Sequence, residues 1–219
     1  MKRILVLLCV VWLTPLAGAG LATAAEPQSG PEHAYRRIVP PQPTDTDGKV
    51  EVVEVFWYGC SHCYDFEPYL NEWLATISPD VQFKRMPGVF RKSWMAHARA
   101  YYTAEQLGIV EEIHTPLFDA IHKDNQKLND EASLKAFFVS HGVREEDFTK
   151  AYNSFTVDSK VKQAVVMGQR YGVTGVPSMI VNGKYRSSAS ITGSYANLIQ
   201  AVNELIEQER QASKVAAQP

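Results

Sequence analysis

Two cysteines spaced as Cys60-Ser61-His62-Cys63 stand between two segments of opposite periodicity. Before them, Val50 to Tyr58 is a β-branched and aromatic run, the pattern of a buried central strand. After them, Phe66, Leu70, Trp73, Leu74 and Ile77 recur as one face of a helix, with Pro68 expected to kink it. The order therefore predicts a strand, a dithiol and a helix that starts at the dithiol. A helix start offers unpaired N–H groups and the positive end of the helix dipole, both of which favour an anion. Cys60 is placed there, and the thiolate is the reactive form of cysteine. His62 adds a donor or a positive charge. Cys63, one turn inside the helix, is expected to be more buried and less reactive.

Other roles for the pair fit the chain less well. The third cysteine, Cys9, lies in an apolar leader, so the pair is the only one available to a mature protein. A disulfide closing so small a loop removes little chain entropy, which argues against a structural staple. Structural zinc needs four ligands, and the chain has no second cysteine pair; His97, His114, His122 and His141 are scattered. Haem attachment needs a histidine after the second cysteine, where Tyr64 stands.

The chain has 219 residues, 45% hydrophobic and 21% charged, which excludes collagen-like, coiled-coil and wholly disordered classes. A formal net charge of -2 gives no electrostatic case for nucleic acid. Lys2 and Arg3, the apolar run Ile4 to Leu13 and Ala22-Thr23-Ala24 have the layout of a secretory signal over residues 1–25. The apolar run is too short to span a bilayer unaided, although a retained anchor is the rival reading. Residues 26–48, with five prolines, read as an extended N-terminal arm.

Val81 to Met86 is a second short strand. Residues 89–172 then read as an all-helical insertion with five apolar stripes, around Trp94–Tyr101, Ile113–Ile121, Leu134–Phe138, Phe148–Phe155 and Val161–Gly168. Pro177 to Val181, Asn182-Gly183 and Tyr185 to Ser190 read as a hairpin. A last helix carries Tyr195, Leu198, Ile199, Val202, Leu205 and Ile206 on one face, and 211–219 reads as a disordered tail. The fold class is α/β, with residues 49–88 and 173–210 forming one domain around the insertion.

Glu54-Val-Phe-Trp-Tyr-Gly-Cys60-Ser-His-Cys63-Tyr-Asp-Phe66 resembles the active-site segment of the thioredoxin-fold DsbA family of periplasmic thiol oxidases. Gly175-Val176-Pro177-Ser178-Met179-Ile180-Val181-Asn182-Gly183 resembles that family's cis-proline loop and hairpin. The resemblance covers residues 45–210. It implies a thioredoxin-like fold and donation of a Cys60–Cys63 disulfide to reduced exported polypeptides. It also implies a cis Val176–Pro177 bond that frees the Val176 backbone to pair with substrate, and reoxidation by a DsbB-like, quinone-linked membrane oxidase. No metal or organic cofactor is expected. The implied setting is the periplasm of a Gram-negative bacterium, with the protein acting as a monomer. The usual dipeptide between the cysteines is Pro-His; Ser61 here offers a hydroxyl where proline fixes φ. A disulfide isomerase or reductase on the same fold, or a chaperone-like peptide-binding module, is the alternative.

Supporting residues are expected around the pair. Glu54 lies inside an apolar strand, where a carboxyl is costly unless paired or in use. By resemblance it is the buried acid that helps move protons at Cys63. Glu51 and Glu67 read as solvated carboxylates, with a tuning role at Glu67 the alternative. Trp57, Tyr58 and Phe90 are candidates for an apolar substrate groove.

Overall fold

The computed structural model describes residues 34–216. The expected signal segment, residues 1–25, and the first part of the arm lie outside the described residues.

Valines dominate strand β2 (Val50–Phe56), and every residue of it is buried. It pairs in parallel with β3 (Val81–Pro87) and antiparallel with β4 (Ser178–Val181). β5 (Tyr185–Ser187) continues from β4 as a hairpin, and β1 (Arg36–Arg37) pairs antiparallel with β5. The sheet order is β1-β5-β4-β2-β3.

The helices α1 (Ser61–Leu74) and α8 (Tyr195–Ala216) share one apolar core with the sheet. Phe66, Leu70 and Trp73 meet Leu198, Val202 and Leu205, residues spaced one helical turn apart. Trp73 Nε1 donates to Asn203 Oδ1 at 2.8 Å and ties the two helices together. α1 runs unbroken through Pro68.

The second core joins Val53, Val55, Phe56 and Ile180 of the sheet to a helical lobe. The lobe contains α2 (Met95–Leu107), α3 (Val110–His122), α4 (Glu131–Ser140), α5 (Glu145–Tyr152) and α6 (Phe155–Arg170). Leu117, Phe118, Phe138, Phe148 and Val157 are fully buried in it. α4 begins with a capping box between Asp130 and Ser133. The short helix α7 (Ala189–Thr192) precedes α8.

The structure departs from the sequence reading at both ends. Part of the expected free arm is instead built into the domain: β1 closes the sheet edge, Ile38 is buried, and Ile38 N–H donates to Lys184 O at 2.7 Å. The expected disordered tail is helical as far as Ala216. Arg210 anchors that end through two 2.7 Å bonds to Asp80, and Gln211 to Ala216 includes alanine, glutamine and lysine, all good helix formers. The strand expected over Tyr185 to Ser190 ends at Ser187, where α7 takes over.

Asn182 and Gly183 make the β4–β5 turn with φ of 52° and 64°. Gly183 also packs directly on the arm, since its carbonyl accepts from Gln42 N–H at 2.9 Å. A methyl group at this position would collide with the Gln42 carbonyl. Gly183→Ala is expected to lose about 1–3 kcal/mol in urea denaturation. An unchanged midpoint would mean that the arm moves aside freely.

Candidate active site

β2 delivers Trp57, Tyr58 and Gly59 to the start of α1, and Cys60 is the N-cap residue of that helix. No acidic side chain occupies the first turn of α1, and no side chain caps it. The space at the helix start therefore belongs to sulfur. Cys60 is half-buried and Cys63 is fully buried. Both are thiols in the structure.

The two sulfurs have opposite acidities. Cys60 is lowered to about 6, first by a hydrogen bond from the Cys63 thiol, then by the backbone N–H groups of Cys63 and His62 and the His62 charge. Partial burial opposes this shift. Cys63 is pushed well above the ordinary thiol range by burial and by the neighbouring Cys60. At pH 7 a thiol of pKa about 6 is about 90% ionised, against about 3% for an ordinary one.

The Val176–Pro177 peptide bond is cis, and Cys60 Sγ lies 3.6 Å from the Val176 carbonyl. The structure thus brings together Cys60, Cys63, His62 and the Val176–Pro177 loop, although Val176 lies 116 positions along the chain from Cys60. Ser61 is exposed on the first turn of α1. Tyr195 Oη donates to the His62 carbonyl at 3.0 Å. A groove of about 840 Å³ opens beside His62, Val176 and Pro177, with Tyr69 and Tyr195 in its wall.

Beneath the pair lies a chain of buried polar groups. Glu54 and Arg85 are directly opposite in the β2–β3 register, and Arg85 Nε donates to Glu54 Oε2 at 3.2 Å. Arg85 Nη2 donates to Glu67 Oε2 at 3.3 Å. His114 Nε2 lies 3.2 Å from Glu67 Oε1, and Tyr58 Oη lies 2.9 Å from His114 Nδ1. Burial would raise Glu67, but the His114 hydrogen bond and the Arg85 charge hold it below the ordinary carboxylate value. Burial lowers His114, so its imidazole is neutral. An ionised carboxylate only accepts hydrogen bonds. The proton of His114 is accordingly assigned to Nε2, donating to Glu67, with Nδ1 accepting from the Tyr58 hydroxyl.

Glu54 is pushed up to about 8, first by burial and then by the Glu67 charge, against the pull of Arg85. Its Oε1 is buried without a hydrogen-bond partner, and its charge is one of the causes that raise Cys63. A carboxyl whose pKa is higher in the folded protein takes up a proton on folding. Its stabilising effect is complete below the ordinary value near 4.5 and is lost as pH rises through about 8. The stability of the native protein relative to Glu54→Gln is therefore expected to decline over that interval. Urea denaturation of both dithiol proteins across pH checks this, and the contribution of Cys60 cancels in the difference. A difference independent of pH would mean that Glu54 is ionised throughout.

Several expectations are corrected. Glu67 is not solvated but buried and bonded to Arg85 and His114. Glu51 is also buried, and Lys84 Nζ donates to it at 2.6 Å. Tyr58 does not line a groove; it is 1% exposed and belongs to the core. Trp57 stacks on Trp94 with ring centroids 4.0 Å apart, whereas Phe90, exposed and packed on the same Trp94, lines a second groove that reaches Thr174 and Gly175.

Arg85, His114 and His122 were missed. His122 Nε2 donates to the Tyr58 carbonyl at 2.7 Å and stacks on Tyr64, so α3 braces the loop before Cys60. Arg85 left one signal in the sequence, a second charge in a short strand following one that carries Glu54.

A buried and a half-buried sulfur at the start of a helix on a mixed sheet, beside a cis-proline loop, define a thioredoxin-fold dithiol–disulfide oxidoreductase. The comparisons give the same class. Residues 82–200 match the DSBA-like thioredoxin domain. The thiol:disulfide interchange protein DsbA of Pseudomonas syringae pv. tomato is 40% identical over 196 residues, covering 89% of this chain and 91% of the relative. That of Azotobacter vinelandii is 44% identical over 170 residues, covering 78% and 79%. The crystal structure of Pseudomonas aeruginosa DsbA has a TM-score of 0.80 and 39% identity over 83% of this chain and 95% of that one. DsbA from Xylella fastidiosa has a TM-score of 0.76 and 31% identity over 81% and 96%. This chain belongs to the DsbA family of thiol:disulfide interchange proteins.

Proposed function

We propose that the protein donates a Cys60–Cys63 disulfide to reduced exported polypeptides in the periplasm of a Gram-negative bacterium. It acts as a monomer, without metal or organic cofactor, and is reoxidised by a quinone-linked membrane oxidase of the DsbB type. The observation that carries this reading is the contrast between the sulfurs: Cys60 is accessible and acidic, and Cys63 is buried with its thiol held in the protonated form.

A substrate thiolate attacks Cys60 Sγ and forms a mixed disulfide. The Cys60–Cys63 bond breaks, and its electron pair leaves on Cys63, which takes a proton. Glu54, held as a carboxylic acid by its burial, is the nearby proton reservoir. A second substrate thiolate then attacks the substrate sulfur of the mixed disulfide. The Cys60 thiolate leaves, the substrate is oxidised by two electrons and the protein is reduced by two. A leaving thiol of low pKa departs faster, so the acidity of Cys60 speeds this last step.

The direction of transfer separates an oxidase from an isomerase or reductase. Disulfide-form protein mixed with an equimolar dithiol peptide at pH 7 is expected to yield oxidised peptide and dithiol protein. A mixture in which the protein keeps its disulfide and the peptide stays reduced would overturn the proposal.

A further inference from the structure

The groove beside His62 and Val176 continues to the edge of the sheet, where Arg36 and Arg186 enter its wall. These arginines are directly opposite in the β1–β5 register. Like charges facing each other across strands oppose pairing, so the arrangement calls for a compensating anion. None is supplied by the described residues. Neither arginine forms a salt bridge among the described residues, Arg186 Nη1 is buried without a hydrogen-bond partner, and burial together with the Arg36 charge lowers Arg186. Among the described residues no Asp or Glu lines the groove, although the chain as a whole has more acidic than basic residues. His62 adds a third potential cation at the end near the cysteines.

We infer that Arg36 and Arg186 form a carboxylate subsite that selects substrates with an acidic side chain near the cysteine that reacts with Cys60. The occupant is an extended segment of the reduced polypeptide. Its backbone lies along Val176, and an Asp or Glu side chain reaches the two guanidinium groups. A guanidinium presents planar, paired donors suited to a carboxylate. Ser188 and Ser190, also in the wall, offer hydroxyl donors beside them. This inference rests on the proposed oxidase reaction and adds a substrate preference to it.

The test uses pairs of dithiol peptides that differ only by Glu or Gln, scanned through the positions flanking the first cysteine. The kcat/KM of oxidation is measured with the native protein, with Arg36→Gln and with Arg186→Gln. Arg36 is exposed at the sheet edge, so its substitution tests the subsite without disturbing the core. At one or two adjacent positions the Glu peptide is expected to be favoured about tenfold by the native protein, the scale of one charge-assisted hydrogen bond. The Glu-to-Gln ratio is expected to fall towards one in each variant, and to recover in part in Arg186→Lys. A native ratio near one at every position, or a ratio retained in both glutamine variants, would overturn the subsite alone. Failure to oxidise any peptide would overturn the oxidase reading and the subsite with it.

Discussion

Cys60→Ser is expected to lower the rate of dithiol oxidation by about 10⁴-fold or more, to the uncatalysed background. Cys63→Ser is expected instead to accumulate mixed disulfides between Cys60 and its substrates. The asymmetry follows from access and acidity. A substrate can reach the half-buried Cys60 sulfur, but not that of Cys63, which is fully buried. With Cys63 replaced, the Cys60 thiolate attacks a substrate disulfide, one substrate sulfur bonds to Cys60 while the other leaves as a thiolate, and no internal thiol remains to displace the adduct. Non-reducing electrophoresis after acid quenching reads both outcomes. Adducts on Cys60→Ser and none on Cys63→Ser would reverse the assignment of the two sulfurs.

Arg85→Met is expected to destabilise the protein by about 3–5 kcal/mol at pH 7, the usual cost of removing one partner from a buried ion pair. Arg85 is the only cation bonded to both Glu54 and Glu67 among the described residues, and all three side chains are at most 9% exposed. Without it, Glu67 loses the positive charge that helps to hold it ionised. The loss should shrink towards pH 5, as Glu67 becomes able to take a proton. It should also shrink when Glu54→Leu is added, since that removes one of the two orphaned carboxyls. Urea denaturation at pH 7 and pH 5 checks the sign. A loss below about 1 kcal/mol at pH 7 would mean that water or a neighbouring side chain replaces the guanidinium.

The α/β fold class was legible because its signals are local. Val50–Phe56 carries a β-branched run, the five stripes of the lobe have helical spacing, and Asn182-Gly183 marks its own turn. The cysteines announced their place at a helix start through the residues on either side. Burial of charge was not legible. Glu67 reads as a surface residue of α1 until His114, 47 positions away, and Arg85 arrive to bond it. Glu51 was misread for the same reason, since its partner Lys84 lies on a neighbouring strand. Arg36 pairs with Arg186 across 150 positions, and proline content alone does not show that the end of an extended arm will find a sheet edge.

The thiolate form of Cys60 is favoured and that of Cys63 is not. The reduction potential of the pair, measured against glutathione as a function of pH, tests it most directly. Reduction adds two electrons, and each proton taken up with them contributes about 30 mV per pH unit. Below the Cys60 pKa both sulfurs take protons, and the potential should fall by about 59 mV per unit. Above it only Cys63 does, and the slope should halve. The break is expected at about pH 6, with the shallower slope holding through pH 8. A slope of about 59 mV per unit continuing unbroken to pH 8 would show that Cys60 is an ordinary thiol, with no preference between the two sulfurs.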